Sequence, residues 1–204
     1  KIWDDTVETD EQAKLLEIID GGEYEAKWMA QDKRINLLSA TGSCEMGKAL
    51  APMVAERMGK GLYELGGNNA MVVSKHANLD LAVRAIVFSA VGTCGQRCTT
   101  LRRLIVHQSK YDELLERLKK SYSSLPIGNP IKRENLVGPL INQQALDKMQ
   151  GVLNECKEKG YTIHGGEPLA DLGEGFVKPA IVEVSEQCDL VKTETFAPIL
   201  YTMK

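Results

Sequence analysis

The chain has 204 residues, enough to bury one sizeable core or parts of two. A hydrophobic share of 43%, a charged share of 26% and a net charge of -3 suit an ordinary globular protein, and no basic stripe with interleaved aromatics points to nucleic acid. No apolar run approaches the roughly 20 residues of a membrane helix.

In chain order, residues 7–20 are mostly polar and end in Leu15, Leu16, Ile18 and Ile19. Arg34 to Ser39 reads as a buried strand. It stops at Thr41-Gly42-Ser43, and a helical pattern follows to about Gly59. Such a strand–turn–helix entry, with N–H groups and the positive helix end at the turn, suits an anion such as a pyrophosphate. The stretch is neither GxGxxG nor a P-loop, and on its own it fits an ordinary capped helix better. Leu62 to Leu65 is a short strand closed by Gly66-Gly67, followed by a strand from Ala70 to Ser74. Glu64 stands at an apolar strand end beside two glycines. Burial there would raise its carboxyl toward the range of a general base, while a solvated edge glutamate before a turn fits equally well.

Asn78 is placed to cap a helix running to about Gly92. After it comes Gly92-Thr93-Cys94-Gly95-Gln96-Arg97-Cys98-Thr99-Thr100. Cys98 follows an apolar helix and a glycine-rich turn, with a cation beside it that favours a thiolate and backbone N–H groups that suit an oxyanion. By itself a buried structural cysteine is the commoner case. Leu104 to Val106 is a strand, and Ser109 is expected to cap a helix with Leu114, Leu115 and Leu118 on one face. A Pro- and Asn-rich loop spans 125–135, a helix 142–158, and extended segments 162–164 and 176–184. Glu194-Thr195-Phe196-Ala197-Pro198 precedes a last apolar strand, Ile199 to Met203. On extended chain Glu194 and Phe196 point the same way, as an acid for a ribose and a ring for a flat base would, or they form an ordinary turn. The alternation predicts an α/β fold, a mostly parallel sheet with helices on both faces.

The five cysteines, Cys44, Cys94, Cys98, Cys156 and Cys188, are irregularly spaced, which argues against a disulfide framework and for a reducing compartment. Cys94 and Cys98 have CxxxC spacing, but His76, His107 and His164 lie far from them in sequence, so no metal site is expected.

Taken together and in this order, TGSCEMGK, LGGNN, GQRC and ETFAP resemble the aldehyde dehydrogenase superfamily. The form GQRCTT and the paired asparagines Asn68 and Asn69 are similar to its antiquitin branch, which acts on a semialdehyde with a charged end. The resemblance runs from about Lys14 to Lys204, and residues Lys1 to Gln12 show none. It implies an aldehyde dehydrogenase-like fold truncated at both ends, with residues 1–65 the last part of a Rossmann-like NAD-binding domain and 66–204 part of a catalytic domain. It implies Cys98 as nucleophile, its N–H as half an oxyanion hole, and Glu64 as base. Gly42, Ser43 and Gly47 would lie by the pyrophosphate of NAD or NADP, and Leu65 near the nicotinamide. Glu194 would lie on the cofactor's ribose and Phe196 at the ring. Arg97 and Thr99 match the positions that hold the charged end of the small aldehyde substrate.

The chain departs from the family's pattern in several places. The asparagine that completes the oxyanion hole, the lysine for the adenosine ribose, the residues that choose NAD or NADP, and the oligomerisation strand are not in this sequence. Where the family has a glycine-rich turn near the adenine, this chain reads Glu25-Ala26-Lys27, whose side chains would crowd the ligand. Ala40 replaces an aromatic, and Pro52 falls inside a helix, where it removes a hydrogen bond and costs up to about 3 kcal/mol. The chain starts at Lys1 without a signal-peptide pattern, as a processed or excised piece does. Two readings stand: a piece of an aldehyde dehydrogenase of cytosol or mitochondria, or an inactive structural subunit of a larger assembly. In both, strand edges and apolar faces left uncovered predict association with other chains or with copies of itself.

Overall fold

A computed structural model describes residues 16–204. They form two compact units that divide between Leu65 and Gly66. Most of the polar stretch expected at 7–20 lies outside the described residues, and 16–20 have no regular structure.

The first unit contains α1 (Glu23–Gln31), β1 (Leu37–Thr41), α2 (Cys44–Glu56) and β2 (Lys60–Glu64). α1 starts where Gly22 donates its N–H to the Glu25 carboxylate at 2.7 Å, while Lys27 pairs with Glu23. Both acids sit at the positive end of the helix. Glu25 and Lys27, expected to crowd a ligand turn, are thus occupied within their own helix. Ser43 caps α2 by accepting the Met46 N–H at 3.1 Å. α2 continues through Pro52 without a break, with the ring on its exposed side. It closes earlier than expected, because Met58 turns left-handed at φ 58° and Gly59 donates its N–H to the Val54 carbonyl at 3.0 Å.

β1 and β2 pair in parallel, from Leu37 opposite Lys60 to Thr41 opposite Glu64. The strand expected at 34–39 therefore begins three residues later and ends two residues later, and it is not buried throughout. Leu38 is its only buried residue, and no residue of β2 is buried. The reason is the small core: Ala30, Leu38, Leu50 and Val54 pack together and leave the rest of this two-stranded sheet uncovered.

The second unit contains β3 (Asn69–Val73), α3 (Leu79–Val91), β4 (Leu101–Val106), α4 (Gln108–Ser123), α5 (Gln143–Glu158), β5 (Thr162–His164), β6 (Ala180–Glu183), α6 (Asp189–Lys192) and β7 (Ile199–Met203). Its sheet has the order β3-β4-β7-β6-β5, parallel except for β5 against β6. All five residues of β7 are buried, as suits a strand covered on both faces. Ile86 and Val91 of α3, Leu114 and Leu118 of α4, and Met149 of α5 are packed with Leu104, Ile181 and Leu200 of the sheet.

Asn78 caps α3, accepting from the N–H groups of Asp80 and Leu81. The cap of α4 is His107 and not Ser109: its Nδ1 accepts the Ser109 N–H at 3.2 Å and lies 3.0 Å from the Ser109 hydroxyl. A histidine ring nitrogen can satisfy an orphan N–H of the first turn as a serine oxygen does, so the helix starts two residues earlier, at Gln108. Among the described residues no helix is long and apolar enough to cross a membrane, and none of the cysteines forms a disulfide.

Candidate active site

In the first unit, five of the expected site residues meet where β1 and β2 end and α2 begins. Gly42 donates its N–H to the Glu64 carbonyl at 3.0 Å, extending the strand pairing into the turn. Ser43 follows as the cap. Gly47 is buried because Leu65 lies over it: a Cβ there would sit 2.6 Å from the Leu65 Cδ1. The carboxyl ends of parallel strands facing a helix start are where α/β sheets place ligands. Glu64 is exposed, so of the two alternatives the structure shows the solvated glutamate at a strand end, on a strand none of whose residues is buried.

In the second unit, Cys98 is held at the tip of a tight turn. Thr100 donates its N–H to the Arg97 carbonyl at 3.0 Å, and Arg97 returns its own N–H to the Thr100 hydroxyl at 3.1 Å. The two residues between them, Cys98 and Thr99, are exposed. Asn69 clamps the turn from β3, donating to the carbonyls of Cys98 (2.7 Å) and Thr100 (2.9 Å). Its neighbour Asn68 donates to the Val191 carbonyl at 2.7 Å. Gln96 donates toward Pro139 and accepts from the Ile141 N–H at 2.8 Å, which ties the turn to the following loop. The approach to the turn is strained: Thr93 and Cys94 both have left-handed backbone, at φ 54° and 52°. Cys94 is buried, and burial pushes its thiol up to about 12. It is thus held neutral, whereas Cys98 is open to a substrate.

Arg97 is directed back to α3. Its guanidinium lies 5.3 Å from the centre of the Phe88 ring, donates to the Phe88 carbonyl at 3.4 Å and passes over Gly92. The pair Glu194 and Phe196 does come together, but not on extended chain, because Phe196 is left-handed at φ 58°. They converge instead on Arg102, which is 3% exposed. Its Nη2 meets the Glu194 Oε1 at 2.8 Å, and its guanidinium lies 5.4 Å from the centre of the Phe196 ring. Burial lowers the guanidinium's affinity for its proton and the Glu194 charge opposes this. The other Glu194 oxygen lies over Gly66, where a Cβ would come within 2.0 Å of it. Gly95 has φ 70°, and a Cβ there would meet the Ala197 carbonyl carbon at 2.4 Å. The segment 194–198 thus passes directly over the turn that leads to Cys98.

Sequence reasoning stopped at Thr99 and missed Arg102. The available signal was an arginine pair inside an otherwise apolar strand, since a charge in a covered sheet needs partners. No group of three or more His, Cys, Asp or Glu side chains among the described residues could hold a metal ion.

Residues 6–204 match the Aldehyde dehydrogenase family. That match begins at residue 6 and corrects, for residues 6–12, the expectation that Lys1 to Gln12 show no resemblance. The chain is 47% identical over 188 residues to a putative aldehyde dehydrogenase family 7 member A1 homolog of Dictyostelium discoideum, covering 92% of this chain and 37% of that protein. It is 48% identical over 177 residues to the alpha-aminoadipic semialdehyde dehydrogenase of Bos taurus, covering 86% of this chain and 33% of that one. Its fold matches a variant betaine aldehyde dehydrogenase of Staphylococcus aureus in complex with NAD+, with a TM-score of 0.83 and 26% identity over 86% of this chain and 36% of that one. The chain therefore spans about a third of the length of the proteins it resembles.

Proposed function

The chain belongs to the aldehyde dehydrogenase family, and we propose from this that it carries the nucleophile and the base of an NAD(P)-dependent oxidation of a small aldehyde to a carboxylic acid. The observation that carries the reading is Cys98, exposed at the tip of a turn that Asn69 clamps and beside which Cys94 is buried. The Cys98 thiolate adds to the aldehyde carbon to give a thiohemiacetal, with its own N–H stabilising the oxyanion. After oxidation it holds the acyl group as a thioester, and Glu64 takes a proton from the water that hydrolyses it. A thiolate suits the first step and a carboxylate base the second.

The residues present suit a dinucleotide. Glu194 offers a carboxylate to ribose hydroxyls, and Phe196, 41% exposed, offers a flat face beside it. Gly42, Ser43 and Gly47 stand at a helix start, where a pyrophosphate would be held, and Leu65, packed on Gly47, would lie near the nicotinamide of a bound cofactor. NAD or NADP, when bound, supplies the hydride acceptor. Arg97 and Thr99 are assigned to the charged end of a semialdehyde, as in the relative named for one. A planar guanidinium suits a carboxylate.

Association with other chains or with copies of this one is part of the same reading. It is supported by the open edge of β3 with Val72 exposed, and by Leu81 and Phe88 exposed on α3. A reducing compartment, cytosol or mitochondrial matrix, suits cysteines that form no disulfide. The second reading, an inactive structural subunit, keeps the departures at Glu25-Ala26-Lys27 in its favour. Calorimetry of NAD+ and NADP+ with the purified chain, alone and with candidate partner chains, separates the two. Binding is expected, and Cys98→Ser and Glu64→Gln then abolish turnover in whatever assembly binds. Failure of both cofactors to bind in every combination would sink the dehydrogenase reading.

A further inference from the structure

Arg102 has four partners from two separate stretches of chain. Nη1 donates to the carbonyls of Gly95 (3.2 Å) and Ala197 (3.4 Å). Nη2 donates to the Arg97 carbonyl (3.2 Å) and to the Glu194 carboxylate (2.8 Å). Two of these, Gly95 and Arg97, bracket the approach to Cys98, and Arg97 is also the residue whose carbonyl closes the Cys98 turn. The other two belong to the segment that carries Glu194 and Phe196, whose ring lies against the same guanidinium. A planar fork spreads its donors over two nitrogens in fixed directions and so holds both segments in one geometry, whereas a lysine's three donors sit on a single nitrogen. Because the group is almost wholly buried, it cannot drop one partner without leaving the charge short of hydrogen bonds.

We propose that Arg102 is a positioning residue that couples the Glu194–Phe196 segment to the Cys98 turn, so that a change at Glu194 alters how the thiol is presented. This rests on the dehydrogenase reading for its purpose, but not for its physics. When Glu194 is engaged by hydroxyl groups of a ligand, its hold on Nη2 changes. The Arg97 carbonyl, which shares Nη2, then feels the change. Occupancy of the Glu194 region and exposure of the nucleophile are thereby linked within one unit of the chain.

The test reads Cys98 directly and uses no cofactor. The full chain is treated with iodoacetamide, and the alkylation rate of Cys98 is measured by mass spectrometry against the exposed Cys44 of the same molecules, across pH. Glu194→Gln keeps the size of the side chain and removes its charge. With Arg102 present, it is expected to shift the Cys98-to-Cys44 rate ratio by roughly threefold to tenfold, the size of a contact coupling. In an Arg102→Met background the same change at Glu194 is expected to leave the ratio unmoved. If Arg102→Met does not fold, Arg102→Lys replaces it. A lysine retains the charge for Glu194 but cannot reach the three carbonyls together, so less than half of the coupling survives. The proposal is overturned if Glu194→Gln leaves the ratio unchanged beside Arg102, or if its effect is as large in the Met or Lys background. Because no cofactor enters, loss of this coupling is a different result from failure of NAD+ to bind in calorimetry. Either idea can fail while the other stands.

Discussion

The two sheets of this chain differ in what holds them. In the second unit, β7 lies between β4 and β6 with every residue buried, and helices supply a continuous core. In the first, β1 and β2 form a two-stranded ribbon on a core of four buried residues, with Leu37 and Leu62 about half exposed. Two strands are marginal without further cover. Of the two residues to which we propose catalytic roles, Cys98 lies in the self-sufficient unit and Glu64 in the marginal one. The lesson is that buried apolar area and long-range backbone clamps gather in the second unit, where Asn69 and Arg102 fix the turn that carries Cys98, while the first unit has only a small core beneath its two strands.

The comparison breaks or sharpens with substitutions made in matched pairs. The largest expected effect is in the cores. Leu200→Ala, fully buried in β7, is expected to destabilise by about 2–5 kcal/mol, and Leu62→Ala on β2 by less than about 0.5 kcal/mol. Denaturant unfolding can separate the units, because Trp28 lies in the first and the sequence has no tryptophan after it. Equal losses at the two leucines would erase the contrast.

Glycines come next. Gly95→Ala places a methyl group against the backbone of Ala197 and Pro198 at φ 70° and is expected to cost at least about 2 kcal/mol. Gly47→Ala meets only the end of the Leu65 side chain, and improved helix propensity offsets part of the crowding. Its cost should stay below about 1 kcal/mol in the same unfolding assay. Helix caps are smaller again. Asn78→Ala removes the acceptor for two N–H groups and Ser43→Ala for one, so losses of about 1 and about 0.5 kcal/mol are expected.

The last contrast is in pH, where the units should weaken at opposite ends. In the first, hydrogen bonds from the Arg34 side chain and N–H hold the Asp32 carboxyl at about 2, below its ordinary 3.8. That contribution is complete above 3.8 and is lost as pH falls through about 2. In the second, burial holds the Cys94 thiol at about 12, above its ordinary 9.0. The native state keeps its proton while the unfolded chain releases it, so stability is complete below 9.0 and is lost as pH rises through about 12. Acid should therefore move Trp28 fluorescence first, and alkali should first relax amide protection in β7. The reverse order would contradict the assignment of these groups.

Much of the fold was legible because turn chemistry and apolar periodicity agreed: Asn78 caps α3 as its position suggests, and α5 and β7 lie where their patterns place them. The failures share a cause. Burial of β1 and β2, the backbone of Phe196 and the role of Arg102 are all set by segments distant in sequence. Local pattern shows that Leu62 is apolar, but not that nothing covers it. The tie from Arg102 to Glu194 joins β4 to a segment 92 residues away, which no local window contains. The cap of α4 was misread for a smaller reason: a histidine ring two residues before the serine accepts the serine's own N–H and starts the helix there.

The position of β7 carries a consequence for the order of events at the ribosome. β4 and β6 are synthesised first and have no pairing with each other; only β7, made after both, lies between them. Until it emerges, the growing chain presents two unsatisfied parallel edges rich in Leu, Ile and Val, the kind of surface that captures chaperones or neighbouring nascent chains. Assembly of the sheet is thus deferred to the arrival of Ile199–Met203, and contacts across long stretches of sequence make that step slow.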